Sequence, residues 1–205
     1  MGPFLVFEGI DGAGKSSQLA LLAARVEAAG RRVRRLVEPT DGPLGQEIRR
    51  RARGEGAPLS AREELDLFVA DRRQNVEQNV LPALEAGEVV LQDRYFYSTA
   101  AYQAARPELG LSPEEVVALH AWAPLPDRVL LLDLPVSEGL SRVARRGAGD
   151  SFETETRQRR VREHFLALAA EDARFVTIAA DRPPAEVAAE VWAAVSPLLA
   201  PEAAP

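Results

Sequence analysis

The stretch Gly9-Ile10-Asp11-Gly12-Ala13-Gly14-Lys15-Ser16-Ser17 constrains this chain more than any other. It matches the phosphate-loop spacing, Gly-x-x-x-x-Gly-Lys-Ser/Thr, at every fixed position. An apolar run, Phe4-Leu5-Val6-Phe7, precedes it and reads as a buried strand. Gln18 to Ala29 follows with Leu19, Leu22 and Val26 at helical spacing. Glycines let backbone N–H groups turn inward around phosphate oxygens, and the following helix N-terminus adds partial positive charge. In that setting Lys15 reaches the outer phosphates and the Ser16 hydroxyl suits Mg2+. The chain holds 25 Lys plus Arg, and Lys15 is its only Lys. A compact ammonium on a flexible stem is kept where a planar guanidinium fits poorly.

Composition narrows the function classes. A length of 205 residues predicts one domain, 1–205, and 46% hydrophobic content supports a sizeable core. The net charge of −6 argues against a protein that coats nucleic acid, but leaves room for a locally basic site that takes small anions. With no cysteine there are no disulfides and no thiolate metal sites. No apolar run approaches the ~18 residues of a membrane span, and no charged-then-apolar leader opens the sequence. The expectation is a cytoplasmic protein with no membrane and no nucleic-acid partner.

Strand and helix patterns alternate along the chain. Predicted strands are Phe4 to Phe7, Val33 to Glu38, Val89 to Asp93, Arg128 to Leu134 and Phe175 to Ala179. Predicted helices after the first cover Leu44 to Arg53, Ser60 to about Ala86 with a kink near Pro82, and Tyr95 to Ala105 after a short loop. Further helices run from Ser112 to about Trp122, Ser137 to Arg146, Phe152 to Ala170 and Pro184 to Leu199. Ser60 with Glu63 forms a capping box, and Ser112 caps a helix whose first turn holds Pro113. Gly147 to Asp150 reads as a flexible turn, and residues 201–205 as a frayed tail. Five buried strands between helices predict an α/β fold with a parallel sheet covered on both faces. Its ligand rim lies at the carboxyl ends of the strands. The phosphate loop, the Glu38 loop, Asp93-Arg94 and the Leu134 loop share that rim.

Three further patterns carry chemistry. Phe68 and Arg72 are four apart on a helix and share a face, so a base could stack on one and bond the other; a core Phe with a solvated Arg is the plainer alternative. Asp93, at the end of a strand, suits a carboxylate that holds Mg2+ through water, and Arg94 suits a phosphate clamp; a strand-end ion pair is the alternative. Arg142, Arg145 and Arg146 precede a glycine hinge, as in a closing lid over about 142–153; a solvated helix end is equally consistent. Guanine-reading GTPases need an Asn-Lys-x-Asp motif, which a chain with one Lys in its phosphate loop cannot supply. His120 and His164 lie in no motif and read as structural.

Together these stretches resemble the thymidylate kinase family over nearly the whole chain. Phe7 to Ser17 is similar to its phosphate loop, Leu67-Phe68-Val69-Ala70-Asp71-Arg72 to its base-binding helix, and Asp93 to Gln103 to its D-R-Y-x-x-S-x-x-A-Y-Q segment. The resemblance implies a phosphate-loop nucleoside-monophosphate-kinase fold of three layers, a homodimer, and transfer of the ATP γ-phosphoryl group to dTMP with Mg2+. It implies that Gly9, Ile10, Asp11, Gly12, Ala13, Gly14, Lys15, Ser16, Ser17 and Arg142 bind ATP. It places Asp11, Pro39, Phe68, Arg72, Arg94, Thr99 and Tyr102 around dTMP, with Phe68 on thymine, Arg72 on O4, Arg94 on the 5′-phosphate and Tyr102 against a 2′-hydroxyl. It implies further that Lys15, Arg94, Asp11 and the lid residue Arg146 carry catalysis, and that Ser16, with Asp93 through water, holds the metal. Val37, Tyr97 and Ser151 depart from the family pattern. Two other readings compete: a kinase for a different nucleotide or nucleoside, and a nucleotide-binding regulatory protein without transfer.

Overall fold

Runs of apolar residues with no solvated alternate positions fold as strands buried on both faces. The computed structural model describes residues 1–145 and 152–199. Among them, five strands form one all-parallel sheet: β1 (Phe4–Glu8), β2 (Val33–Val37), β3 (Val89–Asp93), β4 (Arg128–Asp133) and β5 (Phe175–Ala179). Their order is β2-β3-β1-β4-β5. Every residue of β1 and β3 is buried. Successive strand residues point to opposite faces, so both faces of the sheet's centre are covered. The outer strands β2 and β5 are only partly buried.

Register fixes the rim. Phe7 of β1 and Val37 of β2 both lie level with Asp93, and Glu8 lies level with Leu131. The chain leaving β1, β2 and β3 therefore emerges at one edge, as the sequence pattern predicts. Helices pack around the sheet: α1 (Lys15–Ala28), α2 (Pro43–Ala52), α3 (Ala61–Asn75), α4 (Leu81–Glu85) and α5 (Phe96–Ala104) in the first half. In the second half are α6 (Pro113–Ala118), α7 (Val136–Ala144), α8 (Phe152–Glu171) and α9 (Pro184–Leu199). The α8 stripe Val161, Phe165 and Leu168 is buried, at the spacing of one helix face.

Local chemistry explains most boundaries. Ser60 accepts from the Glu63 N–H while the Glu63 carboxylate accepts from the Ser60 N–H, closing the predicted capping box. The same reciprocal pair forms between Ser112 and Glu115 ahead of α6. The long predicted helix does run on to Glu85, but as α3, a π-helical turn over Val76–Val80, and α4. Pro82 lacks an N–H and crowds the carbonyl four residues back, and a widened turn just before it relieves both demands.

Other expectations are corrected. Helix α1 begins at Lys15 rather than Gln18, because Gly14 at φ 93° turns the loop directly into it. Helix α6 stops at Ala118 rather than Trp122: the N–H groups of His120, Ala121 and Ala123 bond carbonyls three residues back in tight turns. An unpredicted 3-10 turn covers Pro107–Leu109. The end of the predicted lid, with Arg146, the Gly147 to Asp150 turn and Ser151, lies outside the described residues, as does the 201–205 tail. No described helix is long and apolar enough to cross a membrane.

The centre of the sheet should carry the stability. Replacing Leu130, fully buried in β4, by Ala is expected to cost about 2–5 kcal/mol in urea denaturation. The same change at Leu125, which is 59% exposed, should stay within about 0.5 kcal/mol.

Candidate active site

The phosphate loop closes tightly on its neighbours. Gly9 sits at φ 137°, and a Cβ there would come 2.5 Å from the Leu132 carbonyl oxygen. Gly12 sits at φ 83°, and its Cβ would come 2.6 Å from the carbonyl oxygen of Gly139 in α7. Neither position admits a side chain. Lys15 is buried, and its Nζ donates to the carbonyls of Gly9 (2.8 Å) and Ile10 (2.9 Å). That uses two of its three N–H groups. Burial, aided by the Arg94 charge, brings the Lys15 ammonium down to about 8.

A cavity of about 290 Å³ opens on this loop. Asp11, Gly12, Gly14, Lys15, Ser16 and Ser17 line it, with Asp93 and Arg94 from the end of β3. Gly9, Ile10 and Ala13 do not; the Ile10 and Ala13 side chains are buried in the core. Ser16 Oγ donates to Asp93 Oδ2 at 2.6 Å, so a hydroxyl and a carboxylate oxygen meet beside the loop. Among the described residues, no group of three His, Cys, Asp or Glu side chains could hold a metal. The two oxygens instead fit Mg2+, which takes few protein ligands and completes its shell with phosphates and water.

A second cavity of about 310 Å³ adjoins the first. Asp11, Glu38, Pro39, Arg49 and Arg94 line both. Phe68 and Arg72 share a face as the spacing predicts, and both reach this wall with Thr99 and Tyr102. Arg72 is not solvated: its side chain is 1% exposed. Its Nε (2.8 Å) and Nη2 (2.6 Å) donate to Glu38 Oε2, and Nη2 also to Thr99 Oγ1 (3.0 Å). Glu38 takes a further bond from Asn75 Nδ2, at 2.9 Å. Burial raises its pKa, opposed by Arg72 and Asn75. Asp71 holds the adjoining loop by accepting from the Thr40 N–H (2.9 Å) and hydroxyl (2.5 Å).

Between the cavities stands an ion pair, Arg94 Nη2 with Asp11 Oδ1 at 2.5 Å. Arg94 lies 5.1 Å from the Tyr102 ring centre. Burial pushes the Asp11 carboxyl up, but Arg94 and Lys15 outweigh it and its pKa falls below the usual value. Arg94 has φ 66°, the only non-glycine residue with positive φ among the described residues. Backbone strain of this kind clusters where a side chain must be aimed.

Two of the sequence departures, Tyr97 and Val37, acquire definite places. Tyr97 faces away from both cavities; its ring packs on Phe175 and its hydroxyl donates to Asp172 at 2.7 Å. Val37 is 42% exposed and lines the first cavity. Arg49 of α2 enters both cavities from the other side of that loop and donates to the Pro39 carbonyl at 2.7 Å. Arg142 of α7 lines neither; it donates to the Gly12 carbonyl (3.3 Å), the Ala180 carbonyl (3.2 Å) and Glu138 (2.5 Å).

Four residues carry more than the sequence reading allowed. His120 Nε2 lies 2.8 Å from Arg72 Nη1 and Nδ1 lies 2.9 Å from the Val116 carbonyl oxygen. The guanidinium can only donate, so Nε2 accepts and Nδ1 carries the proton. Gln103 lines the second cavity and is 2% exposed; its Nε2 donates to Glu64 at 3.0 Å, and its Oε1 has no partner among the described residues. Arg157 of α8 also lines that cavity. Glu8, fully buried, accepts from the Tyr95 and Ser98 N–H groups. Its burial pushes the carboxyl up to about 7 against the pull of Ser98, Tyr95 and Arg94. Glu8 and Gln103 lie within the stretches that resemble the family, but no linear spacing marks the distant partners Ser98 and Glu64, or the Arg72 beside His120.

A parallel sheet with a phosphate loop at its rim, and a second cavity of aromatic and cationic residues beside it, defines a phosphate-loop kinase of the nucleoside-monophosphate type. The family model described as Thymidylate kinase matches residues 7–191. A "Probable thymidylate kinase" of Thermococcus kodakarensis is 47% identical over 174 residues, spanning 81% of this chain and 83% of that one. The "Thymidylate kinase" of Xanthomonas campestris pv. campestris is 46% identical over 168 residues, 82% of this chain and 72% of its own. A "Probable thymidylate kinase" of Pyrococcus horikoshii is 46% identical over 173 residues, 82% and 83% of the two chains. The chain belongs to the thymidylate kinase family.

His120 generates a pH test. Burial and the Arg72 charge bring its imidazole down to about 4, from an ordinary value of 6.5. Between those values the unfolded chain binds the proton and the folded one does not, so its contribution to stability is lost as pH falls through that window. Comparing urea denaturation of wild type and His120→Gln at pH 7 and pH 5 should show the difference moving toward the variant by about 1 kcal/mol per pH unit below 6.5.

Proposed function

We propose that this protein transfers the γ-phosphoryl group of ATP to the 5′-phosphate of dTMP, giving ADP and dTDP. One observation carries the reading: the Asp11–Arg94 pair stands between a phosphate-loop cavity and a base-sized cavity and lines both. Such a geometry suits two phosphate-bearing molecules that meet end to end.

The ATP phosphates lie in the loop cavity, against the backbone N–H groups from Gly12 to Ser17 and the Lys15 ammonium. Bound phosphate favours the charged form of Lys15. Ser16, with Asp93 through water, would hold Mg2+, whose charge would offset that of the ATP phosphates. The dTMP base stacks on Phe68, and the apolar side chains of Ile48 and Ala52 in the same wall suit a ring with a C5 methyl. Arg72 donates toward O4. The unpartnered Gln103 Oε1 suits the N3–H of thymine, and it would face an unprotonated N3 in cytosine. Thr99 and Pro39 complete the wall, and Tyr102 crowds the 2′ position.

Arg94 grips the acceptor phosphate, and Asp11 meets the sugar 3′-hydroxyl while holding Arg94 in place. An acceptor oxygen already ionised at neutral pH attacks the γ-phosphorus as the bond to the bridging oxygen breaks. No strong general base is required. Catalysis comes from alignment and from cations placed on the transferring group. Arg146 of the lid belongs to that set, and Arg142 holds the loop from its outer side. A homodimer and a cytoplasmic setting follow from the family resemblance; sedimentation giving twice the chain mass would bear out the dimer, and a monomer would remove it.

An ADP-release assay with ATP and Mg2+, offering dTMP, dUMP, dCMP, dGMP, UMP and thymidine separately, tests the reading. Strong turnover with dTMP, weaker with dUMP and little with the others is expected. Turnover with none, despite ATP binding, would overturn it in favour of a regulatory nucleotide-binding protein. Gln103→Leu should lower kcat/KM for dTMP by about tenfold, the value of one hydrogen bond, and narrow the margin over dCMP. Phe68→Ala should raise KM for dTMP by about tenfold or more through lost stacking, with KM for ATP little changed.

A further inference from the structure

The end of β1 carries a buried carboxylate that takes no direct part in the reaction as described. Glu8 is 0% exposed and stands immediately before the phosphate loop. A carboxylate so placed is costly unless its oxygens are bonded. Here they are: Oε1 accepts from the Tyr95 N–H (2.8 Å) and the Ser98 N–H (3.2 Å), and Oε2 accepts from the Ser98 hydroxyl (2.5 Å). Tyr95 is the N-cap of α5 and has no side-chain cap of its own. Helix starts are usually capped by a local Ser, Thr, Asp or Asn. This one is capped across the sheet, from a residue 87 positions earlier.

The residue just ahead of that cap is Arg94. Its backbone N–H donates to the Phe7 carbonyl at 3.0 Å, so residues 7 and 8 of β1 hold both sides of it. Pinned at each end, it adopts the left-handed φ of 66°. Its Nη1 donates to Ser98 Oγ at 3.3 Å, and that hydroxyl spends its proton on Glu8. The order Arg94 to Ser98 to Glu8 is a relay in which each group has one role.

We propose that Glu8 is the positioning residue for the acceptor phosphate, acting through the α5 N-terminus and the Ser98 hydroxyl to aim Arg94 at the junction of the two cavities. The proposal rests on the reading that Arg94 grips that phosphate. Glu8→Gln keeps a carbonyl oxygen for the two N–H groups but turns an amide N–H toward Ser98 Oγ. The hydroxyl must then accept where it had donated, in competition with Arg94.

Calorimetric titration of dTMP and of thymidine, which lacks the phosphate, into wild type, Glu8→Gln, Arg94→Ala and the double variant tests this. Glu8→Gln is expected to weaken dTMP by about tenfold while thymidine stays within about twofold, and to add less than about twofold once Arg94 is Ala. A dTMP affinity unchanged by Glu8→Gln, an equal loss for thymidine, or the same loss with and without Arg94 would overturn it. Normal dTMP binding by Arg94→Ala would overturn the phosphate reading itself, and is seen separately from the Glu8 result. Ser98→Ala removes only the hydroxyl of the relay and serves if Glu8→Gln does not fold: about threefold weaker dTMP with unchanged thymidine is expected, and unchanged dTMP overturns the proposal.

Discussion

A guanidinium shut away from water must find its partners inside the protein, and the base end of the site is arranged around that demand. Arg72 takes Glu38 from the loop after β2, Thr99 from α5 and His120 from the turn after α6. Asn75 joins the group by donating to Glu38 and to Gln92 of β3. Three segments thus converge on one side chain of α3. Removing one member of a buried charged pair costs far more than the pair contributes, because the other is left uncompensated. The cluster therefore fixes the relative placement of β2, α3 and α5, and with it the shape of the second cavity.

The two halves of the site are built by different physics. The donor side is backbone: a glycine-bearing loop, a helix start and one ammonium, all within nine residues of sequence. The acceptor side is side chains drawn from four helices, two strand ends and a loop. Asp11 and Arg94 belong to both. Their attraction holds an anion and a cation at the junction of the two cavities, so neither cavity can be reshaped without the other.

This contrast also explains what could be read from the sequence. Strands β3 and β5 are legible to the residue, because each is a short apolar run bounded by polar groups. The phosphate loop is legible because its chemistry depends on spacing alone. Phe68 and Arg72 are legible as a pair through helical periodicity. The depth of Arg72 is not, since nothing local says that Glu38 lies against it. His120 reads as an ordinary core histidine until Arg72, 48 positions away, is found on its Nε2. Gln103 closes the segment that resembles the family, but only the structure shows its acceptor left unbonded in the cavity wall. Helix α6 is overextended in the sequence reading because its apolar pattern continues to Trp122, while the backbone tightens to carry His120 inward. Tyr97, a departure from the family pattern, is turned away from the cavities by Phe175 and Asp172.

Lys15 has a chemical consequence beyond phosphate binding. It is the only side-chain amine in the protein, and its surroundings hold its proton less firmly than water would. Acylating or carbamylating reagents thus have two amines to choose from, this one and the N-terminus. Burial slows the reagent while the lowered pKa supplies free base at mildly alkaline pH. Modification of lysine in this protein is therefore confined to one side chain, Lys15 of the phosphate loop, and is read apart from modification of the exposed N-terminus.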